Sequence, residues 1–240
     1  MNMMTILERH AGENNRDFAY RTVKQAIMTL ELEPGQPVSE IDIAEQLGIS
    51  RTPIREVIAK LKEEYLVEVT PQVGTYVSKI QPQLVEEAVF TRATLERELL
   101  KLACEDFPED ILTELKISLM RQEQLFKQQG TEQQFHELDK EFHYLIFKGV
   151  KKEHVWGAIT RLSTHYNRIR LLSEIEFSFE NALKQHKRIV EIIDTKALSL
   201  VNPMIDEHIL APTKQWHKLY RDGSEFSHYF DNAYKSPGYM

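Results

Sequence analysis

The hydrophobic rhythm of the chain changes near residue 80. Between residues 17 and 30, Tyr20, Val23, Ile27 and Leu30 fall at helical spacing, and Glu33-Pro34-Gly35 then forces a turn. Two short helices are predicted next. Ser39 is placed to cap the first, which carries Ile43, Ala44 and Leu47 on its inner face and stops at Gly48, a residue suited to the left-handed conformation. The second opens at Ser50 and buries Ile54, Val57, Ile58 and Leu61. Its Pro53 lies in the first turn, where a missing N–H leaves no helical bond unmade. After Tyr65 the period shortens to two. Leu66, Val67 and Val69 read as a strand, Pro71 to Gly74 as a turn, and Thr75 to Val77 as a returning strand. Three helices followed by a two-stranded hairpin make the plan of a winged helix-turn-helix.

Beyond residue 83 the period stays helical. Segments are predicted near 83–106, 109–129, 132–149, 152–173, 177–195 and 203–221. Breaks fall at Pro108, Gly130, Gly149, around Glu174 to Glu176, and at Asn202-Pro203, while Pro212 is expected to kink the last helix. The expected fold class is therefore mainly α: an N-terminal winged helix-turn-helix over residues 1–80 and a C-terminal all-helical bundle over 81–222. The C-terminal tail, 223–240, is expected to be partly disordered or to pack on a neighbour.

Composition narrows the class. The 240 residues are 42% hydrophobic and 28% charged, enough for real cores, and no run approaches the roughly 18 apolar residues of a membrane span. The N-terminus lacks the long apolar run of a secretory signal, so a cytoplasmic protein with no membrane partner is expected. The single cysteine, Cys104, excludes an intrachain disulfide framework and reads as a small core residue. Net charge is −7, and residues 1–80 hold 9 Lys/Arg against 12 Asp/Glu. If the chain binds DNA, its positive charge must be focused on one helix, and its affinity must fall steeply with salt.

That helix is the one opening at Ser50. Arg51 and Arg55 are four apart and project from one face. Arginine pairs well with guanine O6 and N7 and also clamps phosphate, and Thr52 can contact phosphate or a thymine methyl. Gly74 at the tip of the hairpin lets backbone approach the sugar-phosphate ridge. On charge alone, two arginines equally describe a solvated face.

The whole string settles the reading. VSEIDIAEQLGISRTPIREVIAKLKEEYLVEVTPQVGTYV, residues 38–77, resembles the DNA-binding domain of the GntR family, with LGISRTPIRE nearly its signature. The resemblance implies DNA-contacting roles for Ser50, Arg51, Thr52, Arg55 and Gly74. Tyr65 departs from the pattern, standing where the family commonly has Gly. Ile41 falls where some members carry a further DNA-contacting Arg.

Histidines carry the chemistry of the second half. Asp139 and His143 are an i, i+4 pair, and His186 and His208 sit on later helices. A bundle can gather three imidazoles and a carboxylate around zinc, nickel or manganese. Singly, each reads as an ordinary polar residue, as do His136, His154, His165, His217 and His228. DKEFHYLIF resembles the Asp-x-x-x-His helix of the FCD-type effector domain in the FadR-like branch of the same family. That resemblance implies a divalent transition metal, most simply zinc, held by Asp139, His143, His186 and His208. It also implies that a small carboxylic-acid effector binds there, with Arg92 as its second contact and Glu96 as the partner position. The alternative for Arg92 is a plain helix salt bridge to Glu96. Asn167 and Arg168 are further pocket candidates.

The expected protein is a homodimeric regulator, a repressor by the usual outcome, that binds double-stranded operator DNA and is not an enzyme. Two rivals remain at this stage. One is a metal-dependent hydrolase, against which stands the absence of HExxH, of a nucleophile elbow and of a phosphate-binding glycine loop. The other is a regulator whose metal is purely structural.

Overall fold

The computed structural model describes residues 4–221 and 223–231, and its chain divides into two compact units. The first takes in residues 1–85, 164–168 and 220–240; the second takes in 86–163 and 169–219.

In the first unit, α1 (Asn15–Met28) is capped by Asn14 and buries Phe18, Ala19, Val23, Ala26 and Ile27. α2 (Glu40–Leu47) is capped by Ser39 and ends at Gly48 in the left-handed conformation, φ 64°. α3 (Arg51–Glu63) packs Ile54, Val57, Ile58 and Leu61 into the same core. Two strands were expected, and three form. β1 (Pro37–Val38), β2 (Val67–Thr70) and β3 (Gly74–Val77) make an antiparallel sheet in the order β1-β3-β2. β1 is only two residues long, too short for alternation to reveal.

Tyr65 adopts φ 57°, the left-handed region that a glycine would occupy without strain. Its carbonyl accepts from the Ser78 hydroxyl and lies 2.9 Å from His165 Nε2. The same unit includes residues 164–168. There the fully buried Arg168 donates to the Ser78 carbonyl at 2.7 Å, and burial pushes its guanidinium down to about 9. Burial and Arg168 together push His165 down to about 2. Part of the tail belongs here too: Ile80 bridges Phe230, which is buried. Asp222 and the tail beyond Asp231 lie outside the described residues.

The second unit is helical. α4 (Pro82–Glu105) runs into it from Glu86, followed by α5 (Glu109–Lys127), α6 (Glu132–Gly149), α7 (Glu153–Leu162), α8 (Thr164–Phe177) and α9 (Glu180–Asp194). Cys104 is buried in its core, as expected, with its thiol raised by burial. The expected break near Glu174 lies elsewhere. The helical stretch after residue 152 is interrupted at Ser163, and α8 then continues through Glu174 to Ser178, φ 70°. Every residue from 163 to 172 is buried, so no apolar stripe exists there to mark where one helix ends.

The last helical stretch is α10 (Val201–Ile205), a π turn at Asp206–Leu210, and α11 (Ala211–Tyr220). The π turn explains how Pro212 is accommodated. A proline cannot donate to the carbonyl four residues back and its ring crowds that carbonyl, and the wider turn relieves both. Among the described residues, no helix is long and apolar enough to cross a membrane.

Gly48 tests the link from sequence to turn. An added Cβ meets nothing within 4 Å, so the cost of Gly48→Ala is conformational. Loss of about 1 kcal/mol is expected, read as a lower urea midpoint by circular dichroism. An unchanged midpoint would mean the backbone at residue 48 relaxes out of the left-handed region.

Candidate DNA interface and metal centre

The N-terminus of α3 is the candidate DNA-reading surface. Ser50, Arg51, Thr52, Arg55 and Gly74 are all exposed, with Ser50 at the N-cap and Gly74 opposite Thr70 in the hairpin. Ser50 makes no side-chain capping bond. Both arginines lean on one acid: Arg55 Nε donates to Glu40 Oε2 at 3.0 Å, and Arg51 Nη2 lies 3.7 Å from the same oxygen. Such exposed pairs are worth about 0–1 kcal/mol, so a stronger anion displaces Glu40 easily. Glu40 was not singled out in the sequence. Its only signal was its place at the start of α2, fifteen residues before Arg55.

In the second unit, His143 from α6, His186 from α9 and His208 from the π turn meet, all buried, with one ligand atom from each lying within 4.8 Å of the others. His208 Nε2 is 3.2 Å from His143 Nε2. Asp139 Oδ1 lies 3.2 Å from His186 Nε2 and 3.7 Å from His143 Nε2. The structure thus brings together all four residues expected from the sequence, though Asp139 stands outside the tightest group of three.

The reverse side of each ring fixes its orientation. His186 Nδ1 faces Gln122 Oε1 at 2.7 Å, and His208 Nδ1 faces Gln185 Oε1 at 2.9 Å. His143 Nδ1 lies 3.0 Å from Glu96 Oε2. Partners of this kind set the tautomer and leave Nε2 as the donor to a metal. Phe142 stacks on His186 at 4.3 Å between ring centroids and holds its plane.

Electrostatics agree with a metal-ready state. Burial pushes His186 down to about 4 and His208 well below its usual value, so both are neutral donors at pH 7. Burial raises Asp139, but Arg170, His143 and His186 outweigh it and hold the carboxyl well below the usual range. His186 Nε2 is buried and has no hydrogen-bond partner. A buried imidazole nitrogen without a hydrogen bond, facing two others and a carboxylate, is a donor set that can hold a divalent metal.

Arg92 and Glu96 form the expected i, i+4 pair at 2.6 Å, but both are buried, unlike a surface salt bridge. Burial raises the Glu96 carboxyl, and Arg92 and His143 overcome it, holding Glu96 well below its usual value. Glu96 therefore joins Arg92 to the histidine cluster. Arg168, a candidate for the pocket, points instead to Ser78 in the first unit.

Several members of the site were invisible to spacing. Gln122 and Gln185 lie on other helices from the rings they orient. Arg170 grips both oxygens of Asp139 at 2.6 and 2.5 Å. His136 and Glu174 extend the buried polar cluster, 3.7 Å apart. His136 read as an ordinary polar residue, yet it is 6% exposed.

Comparison with known proteins identifies both parts. Residues 15–77 match the family described as bacterial regulatory proteins, gntR family, and residues 87–211 match the FCD domain. An HTH-type transcriptional regulator in an unstable DNA locus of Streptomyces ambofaciens is 30% identical over 83% of this chain and 84% of its own. The HTH-type transcriptional repressor RspR of Escherichia coli is 26% identical over 86% of this chain and 91% of its own. These relatives are transcriptional regulators, not enzymes. The solved structure of E. coli McbR/YncC shares the fold, with a TM-score of 0.74 at 19% identity over 87% of this chain and 100% of that one. The chain belongs to the gntR family of bacterial regulatory proteins, in its FadR-like branch with an FCD domain, and is a DNA-binding transcriptional regulator.

Proposed function

We propose that this regulator is a homodimeric repressor whose operator affinity is set by a small carboxylic acid bound at a metal centre. The observation that carries the reading is the convergence of His143, His186 and His208, with the outer nitrogens of His186 and His208 held by Gln122 and Gln185 and that of His143 facing Glu96. Asp139 supplies the fourth donor. Three imidazoles and a carboxylate suit zinc, with nickel or manganese as alternatives. Bound there, the metal supplies a Lewis-acidic seat for a carboxylate. Arg92 is the residue assigned to a second anionic group of the effector, since a guanidinium fork matches a carboxylate with two hydrogen bonds. The name of the E. coli relative, a repressor, supports the sign of regulation. Phe90 on α4 and Ile117 and Met120 on α5 expose large apolar side chains, which supports association with a second copy. A two-fold dimer matches a pseudo-palindromic operator.

On the DNA side, Ser50, Arg51, Thr52 and Arg55 read the operator, and Gly74 lets the wing backbone approach the phosphates. Arg51→Ala and Arg55→Ala are each expected to weaken specific operator binding by about fivefold or more, for a loss of 1–3 kcal/mol per bidentate contact. Circular dichroism and melting temperature should stay unchanged, because both side chains are exposed. The measurement is an electrophoretic mobility shift at fixed salt, and wild-type affinity in both variants would refute the assignment.

The metal centre is tested by melting temperature with mono-, di- and tricarboxylates, with and without a chelator. A ligand that binds only the folded chain raises the midpoint by mass action. A rise for one acid class that disappears with chelator is expected. A large fall with chelator but no response to any acid would make the metal structural, and Arg92→Ala would then leave nothing to weaken.

A further inference from the structure

Asp139 is already engaged before any metal arrives. Arg170 Nη1 and Nη2 each donate to one of its oxygens, at 2.6 and 2.5 Å, in a bidentate pair that is buried on both sides. The oxygen nearest the histidines, Oδ1, is the one Arg170 Nη2 holds. A zinc–oxygen bond is about 2.1 Å, so a zinc ion on Oδ1 would stand within about 5 Å of that nitrogen. Two cations at that distance in a buried site repel strongly.

A second seat for the guanidinium exists on the same helix. Glu174 is one turn beyond Arg170, is 5% exposed, and neither of its oxygens accepts a hydrogen bond. Arg170 Nε already stands in an ion pair with Glu174 Oε1 at 3.3 Å, short of a hydrogen bond. His136 Nδ1 lies 3.7 Å from Glu174 Oε2 and makes no hydrogen bond. A buried carboxylate without a hydrogen bond is costly, and a forked cation four residues away that already faces it can strengthen the contact by side-chain rotation alone.

We propose that Arg170 is a two-seat switch that competes with the metal for Asp139, its guanidinium passing to Glu174 when the metal enters. The inference rests on the metal centre proposed above. In the metal-free chain Arg170 neutralises Asp139 and keeps the cluster folded. On loading, the divalent ion replaces it there and Glu174 receives it. Arg170 acts through Asp139 and touches no metal, so it is a positioning residue. The exchange makes the site release its ion more readily than its four donors alone would, and it records occupancy as a changed ion pair on α8.

The test is a zinc titration of the full-length chain against a competing chelating dye, comparing wild type, Arg170→Met, Glu174→Gln and the double variant. Removing the competitor should tighten zinc binding about tenfold in Arg170→Met, the lower end of what outer partners of a ligand usually change. Removing the second seat should weaken binding about tenfold in Glu174→Gln, although that side chain is not a ligand. In the double variant the Glu174→Gln effect should vanish, because no guanidinium needs a destination. Circular dichroism confirms that each variant folds, and Glu174→Gln decides alone if Arg170→Met does not. Weaker or equal binding in Arg170→Met would overturn the switch and leave Arg170 as a brace that aims Asp139. Unchanged binding in Glu174→Gln would equally overturn it. No binding of zinc, nickel or manganese by the wild type would refute both the switch and the metal centre, whereas wild-type binding with the variant outcomes above overturns the switch alone.

Discussion

Burial of charge governs the helical unit. Arg92, Glu96, Asp139, Arg170 and Glu174 are each less than 9% exposed, and each would pay a desolvation cost of several kcal/mol if left alone. They do not stand alone. Arg92 holds Glu96, Glu96 faces His143, Asp139 faces His143 and His186, and Arg170 joins Asp139 to the vicinity of Glu174. The residues come from α4, α6, α8 and α9, so the polar cluster fixes how these helices meet as firmly as the apolar core around Phe135 and Phe142 does. An apolar replacement of the cluster would stabilise the bundle as well or better.

What spacing made legible was what lies on one helix. The capped turn from Ser39 to Gly48, the stripe of α3, and the pair Asp139 and His143 all repeat within a single element, where sequence distance fixes direction. What spacing could not show crosses elements. Arg170 is 31 residues from Asp139, and Gln122 is 64 from His186. No periodic signal relates such pairs, and only packing brings them together. α8 is the extreme case. Buried on every side over residues 163–172, it offers no stripe from which a boundary or a face could be read. His165 was passed over for the same reason, and His136, on α6, because the residue it faces, Glu174, lies on another helix. The resemblance to a known family pointed to histidines that the fold brings together as a group, but not to the side chains that aim them.

The first unit meets a different constraint. The chain carries a net charge of −7, and its DNA-binding part is no exception to that acidity. Attraction to DNA therefore depends on where the arginines stand and not on how many there are. Glu40 reduces it further by leaning on Arg51 and Arg55. Two arginines held near one carboxylate are less mobile than two arginines in free solvent, and less entropy is lost when they dock. The same acid repels phosphate wherever the arginines fail to find a stronger anion. Where Arg51 and Arg55 make the DNA contacts proposed above, Glu40 is a repulsive element of the kind that produces specificity.

Both units use an arginine set against a carboxylate of the same chain, and the difference in burial separates their behaviour. Glu40 and its partners stand in water, where the pair is worth little and gives way to a phosphate without a conformational barrier. Asp139 and Arg170 are buried, where breaking the pair leaves two uncompensated charges unless both are matched at once. An exchange there demands that the metal arrive as Arg170 finds Glu174. Coupling of this kind makes the buried site respond as a two-state element. The exposed pair instead responds in proportion to salt and anion. An effector acting on the helical unit therefore has a discrete state to bias, and its leverage is set by how differently it binds with Arg170 on one carboxylate or the other.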